Sequence, residues 1–142
     1  MIETNLFGLA LAPLLSAIAQ VESDRGATSD NVYQIRVLYV LDVNRIASAA
    51  RRSGAEWIGK KRPVPTWFML SDRKIPLMSE MMMTVYWEHY GQRYIEKTEE
   101  PVTYEVLARI HNGGPDGWRK PSTIRYWQKV KAVMDKEAAC AK

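Results

Sequence analysis

One cysteine stands in the 142 residues, Cys140, so the chain can form no internal disulfide and no cysteine-based metal cluster. Its two histidines, His89 and His111, sit at no metal-ligand spacing, and neither a metal nor another cofactor is expected. No apolar run reaches the roughly 20 residues that a membrane span requires. The stretch from Leu6 to Val21 comes nearest, but Pro13 interrupts it and Glu22, Asp24 and Arg25 follow. It also carries Glu3 where a secretory signal would place Lys or Arg, so it reads as a buried core helix without stable membrane insertion. The net charge of +4 would suit an anionic partner. Arg51, Arg52, Lys60, Lys61 and Arg62 cluster mid-chain, yet no basic stripe is interleaved with aromatics, so nucleic acid is not the expected partner.

What is present is apolar material for packing. With 46% hydrophobic residues the chain can build one core, and residues 1–142 read as a single domain. The pattern predicts a mainly α fold with a small β-hairpin or extended segment. Pro13 fits a first helical turn, with Leu14, Leu15, Ile18 and Ala19 as the apolar face and Glu22 at the end. Tyr33, Ile35, Val37 and Tyr39 alternate at period two, which predicts an extended arm. Helical spacing then returns at Val43, Ile46, Ala47 and Ala50, behind Asp42. Residues 51–76, with Gly54, Gly59, Pro63, Pro65 and Pro76, predict a long loop in which Trp57, Trp67 and Phe68 need cover. A long helix after Pro76 would place Met78, Met81, Met82, Val85, Tyr86, His89 and Tyr90 on one face, with its methionines as core filling. Another begins near Thr103 and stops at Gly113-Gly114-Pro115; a last one follows Ser122 or Thr123, with Tyr126, Trp127, Val130, Val133 and Met134 at helical period, and leaves 136–142 as a tail.

Glu22 has the surroundings of a general acid. In the last turn of an apolar helix, the negative end of the helix dipole and low-dielectric neighbours both disfavour the carboxylate, so the proton is held to higher pH. Breaking a glycosidic bond near neutral pH needs such an acid. The bland alternative is a solvent-facing glutamate that merely ends the helix. His111-Asn112-Gly113-Gly114-Pro115 adds a second element, in which the glycines leave backbone open to a ligand and His111 and Asn112 both donate and accept hydrogen bonds. Sugar recognition uses such groups together with aromatic faces, for which Tyr33, Tyr86, Trp87 and Trp118 are candidates.

Three blocks then resemble, in the same order, the invertebrate-type (destabilase) lysozymes and related bacterial and phage lysozyme-like proteins. They are Ala19-Gln20-Val21-Glu22-Ser23, then Tyr33-Gln34-Ile35 with Tyr39, then Ala108 to Gly117 with Tyr126-Trp127. A looser similarity runs to soluble lytic transglycosylases. The resemblance implies a lysozyme-like two-lobed helical fold with a small hairpin, and cleavage of peptidoglycan glycan strands by hydrolysis or transglycosylation. It implies Glu22 as acid, and Ser23, Tyr33, Gln34, Tyr86, His111, Asn112 and Gly113 around the sugar. Only residues 23–33 separate Glu22 from Gln34, a shorter stretch than the family's, and Asp24 and Asp30 are the carboxylates in it. Asp30, just before the predicted extended segment, is the better candidate for the second catalytic group. A retaining mechanism needs the two carboxyls about 5 Å apart, and otherwise the substrate's acetamido group can take that role.

The family is rich in disulfides and this chain has none, which points to a bacterial or phage setting and to action at the bacterial cell wall or periplasm. Two other classes stay open. A non-catalytic wall-binding or virion structural protein would suit the short 23–33 stretch. A basic nucleic-acid-binding helical domain would suit the charge but leaves Glu22 and His111-Asn112 unexplained. The oligomeric state is not legible.

Overall fold

The computed structural model describes residues 5–52 and 67–141, with the side chains of 50–52 set aside. The chain opens with a hairpin of two short strands, β1 (Asn5–Leu6) and β2 (Leu9–Ala10), antiparallel with Asn5 opposite Ala10 and Leu6 opposite Leu9. Both turn residues, Phe7 and Gly8, have positive φ, as a two-residue turn between right-twisting strands requires. Five α-helices follow: α1 (Leu11–Ser23), α2 (Val37–Arg52), α3 (Pro76–Thr98), α4 (Tyr104–Gly113) and α5 (Ile124–Cys140). Short 3-10 turns at Leu70–Lys74, Gly117–Arg119 and Pro121–Thr123 lead into them. The fold is mainly α with a small antiparallel hairpin.

Helix α1 is the centre of the core. Leu11, Leu14, Leu15, Ala17 and Ile18 are wholly buried, and α5 packs along it. Its end is a left-handed turn in which Asp24, Arg25 and Gly26 all have positive φ. The amides of Asp24 and Arg25 donate back to the carbonyls of Gln20 and Ala19, which satisfies groups that a helix end leaves orphaned.

Residues 32–39 do not form the extended arm that their alternation predicts. Asn31 clamps the backbone of Ile35 from both sides, its Nδ2 donating to the Ile35 carbonyl and its Oδ1 accepting from the Ile35 amide, and this holds Tyr33 and Ile35 inward from a loop. Helix α2 then starts at Val37, which is exposed, and buries Tyr39, Val40, Val43, Asn44, Ile46 and Ala47 at helical spacing. A loop with two inward side chains running straight into a helix imitates period two for eight residues.

Within the predicted 51–76 loop, residues 53–66 with Trp57 lie outside the described residues. The remainder is ordered by Asn44, whose side chain accepts from the Phe68 amide and donates to its carbonyl, burying Phe68 while Trp67 stays exposed. Pro76 opens α3 at its first turn, where a missing N–H costs nothing. Thr103 caps α4 by accepting from the Val106 amide. Within the stretch read as a tail, residues 136–140 form the end of α5, which continues to Cys140.

Candidate functional site

Glu22 occupies the last turn of α1 and is half-buried. Burial pushes its pKa above the ordinary glutamate value; the Tyr126 phenol and the Arg36 guanidinium, in that order, pull it back in part. Tyr126 comes from α5 and Arg36 from the loop before α2, so three elements converge on this carboxyl. The Tyr126 hydroxyl is buried beside it without reaching full hydrogen-bonding geometry with Glu22 or with any other described group. Arg36 also lies within electrostatic reach of His111 at the end of α4. Its charge therefore acts on both Glu22 and His111, in the two stretches that the sequence marks as functional.

Several predicted sugar contacts lie buried, with contacts inside the protein. Ser23, only 1% exposed, donates to the Val32 carbonyl at 2.6 Å and accepts from the Gly26 amide at 2.9 Å. Its hydroxyl is committed to shaping the turn behind Glu22. Tyr33, 2% exposed, donates from its hydroxyl to Glu80 Oε2 at 2.8 Å. His111 is likewise interior, with Nε2 2.9 Å from the Tyr33 carbonyl and Nδ1 3.4 Å from the Tyr39 hydroxyl. A carbonyl only accepts, so Nε2 carries the proton and Nδ1 accepts from Tyr39. Burial pushes the imidazole down to about 4, with the Tyr33 carbonyl opposing and Arg36 adding to the shift. Tyr86 is buried with its ring stacked on Tyr39 at 3.9 Å between centroids. Trp87 is wholly buried and donates to the Leu107 carbonyl. The polar side-chain groups of Ser23, Tyr33, His111 and Trp87 are thus taken by partners within the protein.

Gln34 and Asn112 are different. Gln34 is exposed, in a left-handed backbone conformation, with one hydrogen bond from its Nε2 to the Asn31 carbonyl. Asn112 is half-buried at the end of α4, and its side chain makes no hydrogen bond to a described residue. The following turn is held tightly. Lys120 Nζ donates to the Gly113 carbonyl, and a Cβ on Gly113 would meet Thr123 Cγ2 at 2.5 Å. Gly114 has φ +87 and Gly117 packs against the Arg109 carbonyl. Gly113 is thus shaped by the chain's own packing.

The two candidate second carboxylates stand apart from this support. Asp30 has a side chain 70% exposed, with Lys74 Nζ at 3.8 Å as its ionic partner. Asp24 is exposed and accepts from Gln20 Nε2 at 2.7 Å. Tyr126 and Arg36 are the residues that sequence reasoning passed over. A tyrosine on the apolar face of α5 was the available signal, since its hydroxyl needs a partner wherever the ring is buried.

No protein-family model matches the chain. It is 58% identical over 41 residues to a lysozyme of Magallana gigas, a stretch covering 29% of this chain and 30% of that protein. It is 28% identical over 135 residues to a lysozyme of Meretrix lusoria, covering 89% of this chain and 92% of that protein. Similarity to invertebrate-type lysozyme 6 of Caenorhabditis elegans is 27% over 110 residues, covering 78% of this chain and 70% of that protein. The high-identity match therefore spans under a third of its relative, and the matches that run along most of the chain are at low identity. The chain is lysozyme-like, with its similarity directed toward the invertebrate type.

Proposed function

We propose that this protein is a glycoside hydrolase of the muramidase kind that cuts the glycan strands of peptidoglycan, with Glu22 as general acid. The observation that carries the reading is the setting of Glu22: a half-buried glutamate at the end of an apolar helix, its pKa raised by burial, in a chain similar to proteins named lysozyme. Such an acid delivers its proton to the glycosidic oxygen as the bond to the sugar carbon breaks, and the aglycone leaves as a neutral hydroxyl. Arg36 nearby supplies positive charge that stabilises the carboxylate left behind.

Asp30 is our candidate for the second group. Its exposure and long contact with Lys74 leave the carboxyl accessible to a ligand, as a nucleophile or a stabiliser of the developing sugar cation must be. If Asp30 serves that role, Asp30→Asn lowers turnover far more than Asp24→Asn. Equal and small effects assign the role to the substrate's own acetamido group. Site of action at the bacterial wall or periplasm, and Gln34 and Asn112 as sugar contacts, belong to the same proposal.

The test is mass analysis of fragments released from purified peptidoglycan by the parent and by Glu22→Gln. Reducing-end fragments from the parent and none from the variant support the proposal. Fragments with 1,6-anhydro ends keep Glu22 as acid and make the enzyme a transglycosylase. Equal release by both proteins removes Glu22 from the mechanism. Retention of glycan without release by the parent would instead indicate a wall-binding protein.

A further inference from the structure

We propose that Tyr126 is a positioning residue for Glu22, its buried hydroxyl donating a hydrogen bond to the carboxylate that Glu22 becomes when its proton leaves. The inference rests on Glu22 being the acid of the proposed reaction. It starts from an orphan: the Tyr126 hydroxyl is the buried side-chain polar atom that lacks a hydrogen-bond partner among the described residues. Buried polar groups are nearly always paired, so an unpaired one needs an explanation, and a role in catalysis is one.

Glu22 is the group placed to be that partner. Helices α1 and α5 pack along each other and bring the phenol of Tyr126 beside the carboxyl of Glu22. A protonated carboxyl is a weak acceptor, and a carboxylate roughly doubles the strength of the bond. In the reaction the Glu22 O–H bond breaks and a new O–H bond forms on the glycosidic oxygen, which keeps the electron pair of its broken bond to the sugar carbon. Tyr126 retains its own proton throughout. Its bond to Glu22 therefore strengthens as the proton moves, and an interaction that grows along the reaction lowers the barrier without tightening substrate binding.

Tyr126→Phe removes the hydroxyl and keeps the ring that packs against α1. The Glu22 carboxyl is followed by carbon-13 NMR titration in the parent and in Tyr126→Phe, free of substrate. The midpoint should rise in the variant by about one unit, the tenfold change expected for loss of one charge-assisted bond. On purified peptidoglycan, kcat should fall about tenfold or more with KM unchanged. An unmoved midpoint overturns the proposal, as does an unchanged kcat in an active parent. Should the parent release nothing, the cleavage reading falls, while a raised midpoint still supports the pairing and an unmoved one still overturns it.

Discussion

Two neighbouring polar regions of this molecule are built on opposite principles. Around His111, each polar group that could serve a ligand is already taken: both ring nitrogens, the Tyr33 hydroxyl and carbonyl, and the Tyr39 hydroxyl all have protein partners. Around Glu22 the groups are left unfinished, with a carboxyl whose pKa burial raises and a buried hydroxyl that has no partner at hydrogen-bonding geometry among the described residues. Residue type does not separate the two regions, since both contain tyrosine and an ionisable group. Completeness of hydrogen bonding does. A satisfied network fixes geometry, and an unsatisfied pair keeps interaction energy in reserve for chemistry.

The largest effect should come from breaking the support. A Cβ on Gly117 would stand 2.0 Å from the Arg109 carbonyl oxygen, and backbone cannot yield as a flexible side chain would. Gly117→Ala should therefore cost at least the upper end of the about 1–3 kcal/mol typical of overpacking. Guanidinium denaturation should find the variant largely unfolded or strongly destabilised. A midpoint within experimental error of the parent's would contradict the packing described for the α4 turn.

Acidification should break the same region more gently. The His111 imidazole is held down to about 4 in the fold against an unfolded value of 6.5, so the unfolded chain takes up the proton first. Stability is full above 6.5, is lost as the pH falls toward 4, and levels off below that. The total is on the order of 3 kcal/mol by linkage. Denaturation midpoints at stepped pH should show this slope, and His111→Gln should flatten it.

Asn112 sharpens the comparison because it borders the satisfied region yet its side chain has no hydrogen-bond partner among the described residues. Asn112→Ala should weaken binding of glycan fragments by about 0.5–1.5 kcal/mol, the value of one net hydrogen bond, with the denaturation midpoint nearly unchanged. Calorimetry beside thermal melting separates the two. A drop in stability without a drop in binding would move Asn112 to the support side.

The smallest effect has the opposite sign. Burial raises the Glu22 pKa, so its contribution to stability is full below the ordinary glutamate range and is lost as the pH rises through the raised value. Glu22→Gln carries no such charge and should melt at a slightly higher temperature than the parent at neutral pH, while losing cleavage. A lower melting temperature would mean that the carboxylate is a structural partner.

Much of this architecture was legible in the sequence wherever one period ran without interference. Leu14, Leu15 and Ile18 mark α1 and place Glu22 in its last turn, and the Thr103 cap and the Gly113-Gly114 stop bracket α4. The start of α2 was not legible, because Tyr33 and Ile35 point inward from a loop clamped by Asn31 and so extend a false alternation. The internal partners of Ser23, Tyr33 and His111 were not legible for a different reason. Their polarity says that they need hydrogen bonds but not with whom, and the partners of Tyr33 and His111 lie 47 and 78 residues away in the chain. Tyr126 was read as one member of an apolar face, and only the packing of α5 on α1 reveals what its hydroxyl meets.

The central claim is that burial keeps Glu22 protonated where an ordinary glutamate is not, and that this proton drives cleavage. The most direct test is the pH dependence of kcat for release of fragments from purified peptidoglycan, whose basic limb reports the acid in the bound complex. The account predicts a limb above the ordinary glutamate value of 4.5, following the raised pKa of Glu22, with no cleavage by Glu22→Gln at any pH. A limb at 4.5 or below, or cleavage by Glu22→Gln with an unchanged profile, would contradict it.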